Sequence, residues 1–216
     1  MTKAQKIKQL SEISGTLSSP SKMPCHSWST PASACITGSK LRKNANSTCA
    51  SCYACKGFYT FKSTRDALAN RLEKLRDLDA WKRAMVAIIT LQEKSGYFRW
   101  HDSGDIQSVE HLEAIVWIAE KMPEIRFWIP TREIAILNRY VARHGNEWPV
   151  NLTIRISSFL VGLEPPTALA KRLNVQTSTV DWEEGEQCPS SQQGNKCLDC
   201  RKCWNKSVDN TNYPKH

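Results

Sequence analysis

Strands alternate with helices over the middle of the chain, and this alternation restricts the fold more than any other feature. The three clearest strand segments, short and rich in aromatic or β-branched residues, are 97–101, 125–129 and 150–157. Between and before them, apolar residues recur at helical spacing, and a short helical segment at 167–173 leads to a fourth strand at 174–180. Such alternation is typical of βαβ units and predicts an α/β fold with parallel strands.

Two architectures accommodate this pattern. The chain has 216 residues, which is too few for a complete eight-fold barrel of ~250 residues, but a partial (βα) barrel fits. An open doubly wound sheet fits almost as well, although no Gly-rich dinucleotide fingerprint follows any strand. We expect one domain, whose parts are an N-terminal arm (1–24), a cysteine-rich loop (25–62), a βα core (63–180) and a cysteine-rich C-terminal extension (181–216).

Four cysteines are crowded into residues 188–204. Cys188, Cys197, Cys200 and Cys203 have the spacing C-x8-C-x2-C-x2-C, separated by small or polar residues, and their soft thiolates suit one metal centre. Structural zinc sites usually take two ligands from each of two turns, whereas consecutive x2 spacings are typical of ferredoxin-type clusters. We therefore expect a 4Fe–4S cluster on these four thiols, with zinc as the alternative.

A second group of cysteines lies in the N-terminal loop, and its five thiols are too many for one four-ligand centre. They are Cys25, Cys35, Cys49, Cys52 and Cys55. Spacing alone favours the last three, which form C-x2-C-x2-C. Three protein ligands on a 4Fe–4S cluster would leave one iron open to S-adenosylmethionine or a substrate, whereas four would make a closed structural centre. The spacing leaves both arrangements open.

Polar residues follow three successive predicted strands, where sites of parallel α/β proteins lie. The candidates are His101, Asp102, Ser103 and Asp105 after the first strand, Arg132 after the second and Arg155 in the third. We expect His101 and Asp105 to be catalytic, His101 as a general acid or base and Asp105 by holding an amino or ribose group. Arg132 and Arg155 would bind a phosphate or carboxylate.

Each of these candidates also has a structural interpretation. Asp102 and Ser103, expected to bind a cofactor, would equally well stabilise a turn. Thr131 is predicted to cap the helix after the second strand, and Gly145 to end that same helix. Ser108 is predicted to cap the preceding helix. Arg155 in a buried strand would equally suit a buried ion pair.

The formal charge of +9 indicates an anionic partner such as a nucleic acid, a nucleotide or a phosphorylated metabolite. The basic residues are scattered, so an ordinary solvated surface would have the same composition. The N-terminal residues lack the apolar run of a signal peptide, and no apolar stretch approaches the ~18 residues of a membrane span. We expect a cytoplasmic protein without membrane contact, in which thiols stay reduced.

Several stretches resemble a phage protein family known as gene product 88. They include "CYACKGFY", "FRWHDSGD", "FWIPTRE" and "CPSSQQGNKCLDCRKCW", and together they cover most of residues 22–204. The resemblance implies a radical S-adenosylmethionine-like iron–sulfur protein in which a thiol-rich loop leads into a partial barrel. It implies one cluster on Cys35, Cys49 and Cys52 and a second on the four late cysteines. It leaves out Cys25 and Cys55 and places the protein in the cytoplasm of the host cell.

The leading hypothesis is a radical-SAM-like iron–sulfur enzyme acting on an anionic substrate, a nucleotide or a nucleic acid, and supplied by an electron donor. The spacing Cys35-x13-Cys49-x2-Cys52 departs from the C-x3-C-x2-C of radical-SAM enzymes. The alternative hypothesis is a zinc-stapled nucleic-acid-binding protein without catalysis. A third is a barrel that has lost catalysis and keeps its clusters as scaffolding.

Overall fold

A six-stranded parallel sheet forms the centre of the protein in a computed structural model that describes residues 1–215. Its strands are β1 (Ser27–Trp28), β2 (Tyr97–Trp100), β3 (Arg126–Thr131), β4 (Leu152–Ser157), β5 (Gln176–Val180) and β6 (Asn210–Tyr213). They lie side by side in the order in which they occur along the chain, each parallel to the next. This is the strand order of a βα barrel, and it excludes the doubly wound alternative, whose order reverses at a switch point. Because β6 and β1 are not paired with each other, the sheet does not close.

Seven α-helices accompany the sheet. They are α1 (Lys3–Ser14), α2 (Ile36–Leu41), α3 (Lys62–Lys74), α4 (Leu78–Gln92), α5 (Val109–Lys121), α6 (Ile134–His144) and α7 (Thr167–Leu173). Helices α4 to α7 each precede the next strand, and right-handed crossovers place them all on one face. On that face the strand residues Phe98, Trp100, Phe127, Ile129 and Ile154 are buried in one core with the helices. Within residues 1–215, no helix has the length and apolarity needed to cross a bilayer.

The helix boundaries agree with the sequence at two predicted positions and differ at a third. Ser108 caps α5, since its hydroxyl accepts a hydrogen bond from the His111 amide at 3.1 Å, and Gly145 ends α6 with a φ of 81°. The prediction that Thr131 caps α6 is wrong, because Thr131 is the last residue of β3 and the cap position belongs to Glu133.

Strands β1 and β6 were not predicted from the sequence. β1 has only two residues and lies inside the cysteine-rich loop, and β6 (Asn-Thr-Asn-Tyr) has no apolar alternation. The side chain of Asn212 in β6 is nevertheless fully buried. Its Oδ1 accepts from the Thr179 hydroxyl at 3.0 Å, and its Nδ2 donates to the carbonyls of Trp182 and Gly185. The polar side chain of Asn212 can be buried in β6 because both ends of its amide group are hydrogen-bonded.

The opposite face of the sheet carries the residues that alternate with the core, and the C-terminal segment 188–205 lies against it. The indole of Trp204 donates to the carbonyl of Phe98 in β2 at 2.9 Å. The hydroxyl of Thr153 in β4 donates to the carbonyl of Trp204 at 2.9 Å, and Trp128 in β3 packs edge-on against the Trp204 ring. The segment 188–205 is therefore part of the tertiary structure of the domain.

Candidate thiol-rich site at the carboxyl ends of the strands

The loop that follows β1, residues 29–61, runs across the carboxyl ends of the next three strands. Three of its threonines make these contacts: Thr30 with the Ser103 carbonyl after β2, Thr37 with the Glu133 carboxylate after β3, and Thr48 with the Phe159 carbonyl after β4. Catalytic groups of parallel α/β proteins are found at this edge of the sheet. The loop, with three of its cysteines, is therefore placed where such a fold builds its active site.

The contact after β2 is close enough to require a glycine. A Cβ on Gly104 would lie 2.0 Å from the Thr30 hydroxyl and 2.6 Å from the Thr30 carbonyl oxygen, and Gly104 has a φ of +75°. Ser103 is buried and its hydroxyl donates to the same Thr30 carbonyl at 2.7 Å. Ser103, a predicted cofactor-binding residue, therefore supports the loop, which agrees with its structural interpretation.

Asp102 also holds the loop. Its Oδ1 accepts hydrogen bonds from the hydroxyls of Ser27 and Ser29, and its Oδ2 accepts from the Tyr59 hydroxyl at 2.7 Å. The hydroxyl of Tyr53 donates to its main-chain carbonyl. These four donors use the carboxylate and carbonyl of Asp102 for connections within the protein, so its predicted role in cofactor binding gains no support.

Cys35, Cys49 and Cys52, here called the strand-end thiol group, converge in this loop. The sulfurs of Cys35 and Cys49 lie 3.7 and 3.5 Å from the point that a Cβ on Gly38 would occupy. Burial raises the pKa of all three thiols, and the nearby Cys52 adds to the shift of the other two. All nine cysteines have free thiols. The three ligands implied by the family resemblance thus come together, and Cys55 lies beside Cys52 on the exposed side.

Asp105 is the buried carboxylate of this site. Its Oδ1 accepts from the Thr131 hydroxyl at 2.6 Å and the Ile106 amide at 2.8 Å, and its Oδ2 accepts from the Arg132 amide at 2.9 Å. Burial raises the pKa of Asp105 to about 6, although these hydrogen bonds oppose the shift, and the charge of Glu133 adds to it. Thr131 is thus a support of Asp105 rather than a helix cap.

Two charged residues after β3 complete the surroundings of the thiols. The Arg132 guanidinium donates from Nε to the Ser158 carbonyl at 3.2 Å, and its charge counteracts the effect of burial on the pKa of Cys49. Glu133 is buried and accepts from the amide and hydroxyl of Thr37. After burial, the charge of Asp105 is the largest contribution raising the pKa of Cys35, and Glu133 adds to it. Sequence analysis missed Glu133, although its position just after a strand would have identified it.

His101 lies apart from these carboxylates. Its ring packs against Trp28, Trp100 and His111, and neither ring nitrogen has a hydrogen-bond partner among residues 1–215. Burial, together with the charges of His111 and Arg99, lowers its pKa well below the ordinary value. A buried neutral imidazole surrounded by aromatic rings has no contact that would support acid–base catalysis, so this predicted role remains without support.

The late cysteines Cys188, Cys197, Cys200 and Cys203, here called the sheet-face thiol group, have different surroundings. Cys188, Cys200 and Cys203 line one cavity of about 20 Å³, which has room for about one water-sized particle. The Cys197 sulfur lies 3.9 Å from the sulfur of Met23, and burial raises the pKa of Cys203 to about 12. In this group Cys203 is buried, whereas Cys188, Cys197 and Cys200 are half-buried.

Arg155 connects β4 to the sheet-face thiol group. It is fully buried, and it donates to the main-chain carbonyls of Cys203, Thr177, Lys202 and Asn205 at 2.9–3.1 Å. Four carbonyls use four of its five N–H groups. The predicted binding of a phosphate or carboxylate by Arg155 therefore gains no support, and no carboxylate pairs with it among the described residues.

Arg99 lies between the two thiol groups and was not among the predicted residues. Its Nη2 is 3.4 Å from the Tyr53 hydroxyl in the loop, and its guanidinium lies 4.6 Å above the ring of Trp128. Its charge opposes the effect of burial on the thiols of Cys25 and Cys197. Because Phe98 and Trp100 belong to the core, two-residue periodicity in β2 would have placed Arg99 on the other face.

The thiol groups do not form a ready-made site for a single metal ion. Within residues 1–215, no three His, Cys, Asp or Glu side chains are arranged to hold a single metal ion. In a 4Fe–4S cluster each thiolate binds a different iron, so the ligands need not crowd around one atom. Three free thiols on one loop suit a cluster with one open iron, and four thiols suit a closed one.

A family model described as gene product 88 matches residues 1–206. The chain belongs to the gene product 88 family. The matched region contains both thiol groups, the strand-end carboxylates and strands β1 to β5. No curated protein and no solved structure matches the chain. The family predicted from the sequence is confirmed, whereas its likeness to radical S-adenosylmethionine enzymes remains a prediction.

Proposed function

We propose that this member of the gene product 88 family is an iron–sulfur enzyme whose catalytic centre is the strand-end thiol group. The proposal rests on the two buried carboxylates near these thiols. Asp105 and Glu133 are buried, and the charge of each raises the pKa of Cys35. Carboxylates next to thiolates are electrostatically unfavourable, and a purely structural metal centre has no need of them. Such an arrangement is typical of functional sites, where unfavourable charge pairs are retained for chemistry.

A 4Fe–4S cluster on Cys35, Cys49 and Cys52 would supply one-electron reduction and an open iron for a ligand of the S-adenosylmethionine type. The protein groups have their own roles around it. Asp105, oriented by three donors, would accept a hydrogen bond from an amino or ribose hydroxyl group. Arg132, whose Nη atoms make no hydrogen bond within the described chain, would bind a carboxylate or phosphate of the ligand.

The sheet-face thiol group would hold a second, closed cluster. Cys203 is buried against the sheet, and four thiols would leave no iron of the cluster open. A centre with four protein ligands suits structure or the passage of electrons from a donor. Arg99 would offset negative charge at the sheet-face group, since its charge already opposes the effect of burial on the pKa of Cys197.

Metal and sulfide analysis of protein purified without oxygen tests this assignment. The intact protein is expected to be brown and to contain iron and sulfide for two clusters. Cys52→Ser and Cys200→Ser should each lose about half of the iron, because each removes a ligand from a different cluster. Cys55→Ser is the matched thiol control and should retain all of it.

Other outcomes would contradict the proposal. A colourless protein that contains zinc and no iron would support the nucleic-acid-binding alternative. Two intact clusters without cleavage of S-adenosylmethionine under reduction would support a scaffold that has lost catalysis. If Cys52→Ser retained its full iron content, the strand-end thiol group would not be a cluster site.

A further inference from the structure

The segment that carries the strand-end thiol group contains no acidic residue. Between Glu12 and Asp66 there are seven lysines and arginines and not one aspartate or glutamate, whereas the whole chain has 30 basic and 21 acidic residues. Lys40, Lys43, Lys56 and Arg65 are exposed, and none of them forms an ion pair among residues 1–215. An ordinary solvated surface mixes both signs of charge, so this one is suited to a polyanion.

Exposed aromatic rings lie in the same segment, between Lys56 and Arg65. Phe58 is 78% exposed and Phe61 is 56% exposed, and their ring centroids are 5.4 Å apart in an edge-on arrangement. Tyr53, which directly follows Cys52, is 44% exposed. The 3-10 turns Tyr53–Cys55 and Gly57–Thr60 join these residues, so the aromatic rings begin beside the thiols and continue outward along one short segment.

We propose that this aromatic–basic surface, formed by Tyr53, Phe58, Phe61, Lys56 and Arg65, binds single-stranded nucleic acid. Exposed rings beside unpaired cations combine base stacking with phosphate attraction, which is how proteins hold single strands. A duplex does not fit this surface equally well, because its bases are stacked on each other and cannot stack on Phe58 or Phe61. The inference rests on the proposed function, since the bound strand would present a base or sugar to the strand-end site.

Fluorescence anisotropy of the full-length protein with a labelled single-stranded oligothymidylate tests the inference, with a duplex of the same length as the competitor. The double substitution Phe58→Ala and Phe61→Ala should weaken binding of the single strand about tenfold for each ring, with the salt dependence unchanged. Lys56→Ala with Arg65→Ala should instead reduce the slope of log K against log salt by about 0.7 for each charge. Lys171→Ala and Val150→Ala, at exposed positions outside this surface, are the matched controls and should bind like the native protein.

Three results would overturn the inference: equal binding by the phenylalanine double variant, preference for the duplex, or binding of anionic phospholipid vesicles in place of the oligonucleotide. The iron content of the same preparations separates this inference from the proposed function. A protein with both clusters that ignores the oligonucleotide would overturn only the nucleic-acid inference. A protein that binds it through Phe58 and Phe61 but contains no iron would overturn only the cluster assignment.

Discussion

The two thiol groups have the same chemistry but differ in their surroundings. The strand-end group lies on a loop beside buried carboxylates and next to exposed aromatic rings. The sheet-face group lies under Trp128 and Trp204, against a small cavity and four carbonyls that Arg155 holds. Ligand identity therefore does not distinguish a candidate catalytic centre from a structural one, whereas the neighbouring carboxylates do.

The two groups also differ in how the protein holds them. The loop of the strand-end group is attached through several separate contacts, each made by a threonine or serine at a different strand end. The segment of the sheet-face group has fewer attachments, which act together: Arg155 donates to Cys203, Lys202 and Asn205 at once, beside the contacts of Trp204 with Phe98 and Thr153. We expect the strand-end loop to tolerate the loss of any one side-chain contact. The segment of the sheet-face group should lose more stability when Arg155 is replaced.

Arg155→Met is the largest expected effect. The substitution removes the four hydrogen bonds that Arg155 donates to main-chain carbonyls, and each such bond contributes about 1 kcal/mol. We expect a loss of about 4 kcal/mol in the free energy of unfolding, and a fall of about 10 °C in Tm, measured by thermal denaturation. Arg132→Met, which removes one hydrogen bond beside the strand-end group, should cost less than about 1.5 kcal/mol. Equal losses in the two variants would show that the groups are held in the same way.

Gly104→Ala should have an intermediate effect, localised to the strand-end loop. The new Cβ would meet the main chain of Thr30, and we expect a loss of about 3 kcal/mol together with lower iron content of the strand-end group. Gly162→Ala is a matched control, because Gly162 has a similar φ of +77° but its nearest atom would be 3.9 Å away. The control should cost about 1 kcal/mol, for backbone strain alone. If urea denaturation gave the same loss for both, the close approach to Thr30 would not matter.

His111→Gln should have the smallest effect on stability. It distinguishes acid sensitivity that comes from protonation of a buried histidine from acid sensitivity that comes from loss of metal. Burial lowers the pKa of His111 from 6.5 to about 3. As the pH falls below 6.5 the unfolded state binds a proton that the folded state does not, so stability falls until about pH 3. The native protein should lose about 2 kcal/mol through this residue between pH 7 and pH 5, and the variant should not.

Urea denaturation at pH 7, 6 and 5 measures this difference. His144→Gln, at an exposed position, should keep the acid sensitivity of the native protein. The buried His101 should contribute in the same direction as His111, since burial also lowers its pKa. If the variant at position 111 lost stability as steeply as the native protein, the acid sensitivity would arise elsewhere, and the thiol groups would be the first candidates.

Much of the fold was predictable because strands β2 to β5 and the helices between them carry strong periodicity. Ser108 and Gly145 marked helix ends correctly, since caps depend on local backbone groups. The prediction for Thr131 was wrong because a threonine shortly before a helix can be the last residue of a strand instead of the helix cap. No local sequence pattern marked β1 or β6, because β1 has only two residues and β6 buries polar side chains.

The amino-acid sequence by itself determined the parallel α/β fold, the family and the two sets of clustered cysteines, because periodicity and spacing are local properties of the chain. Only the tertiary structure decided which side chains meet. It placed Glu133 beside Cys35, turned Arg155 toward main-chain carbonyls and put Arg99 between the two thiol groups. These choices depend on contacts between residues that are far apart in sequence, where strand order and the available hydrogen-bond partners decide what each side chain can do.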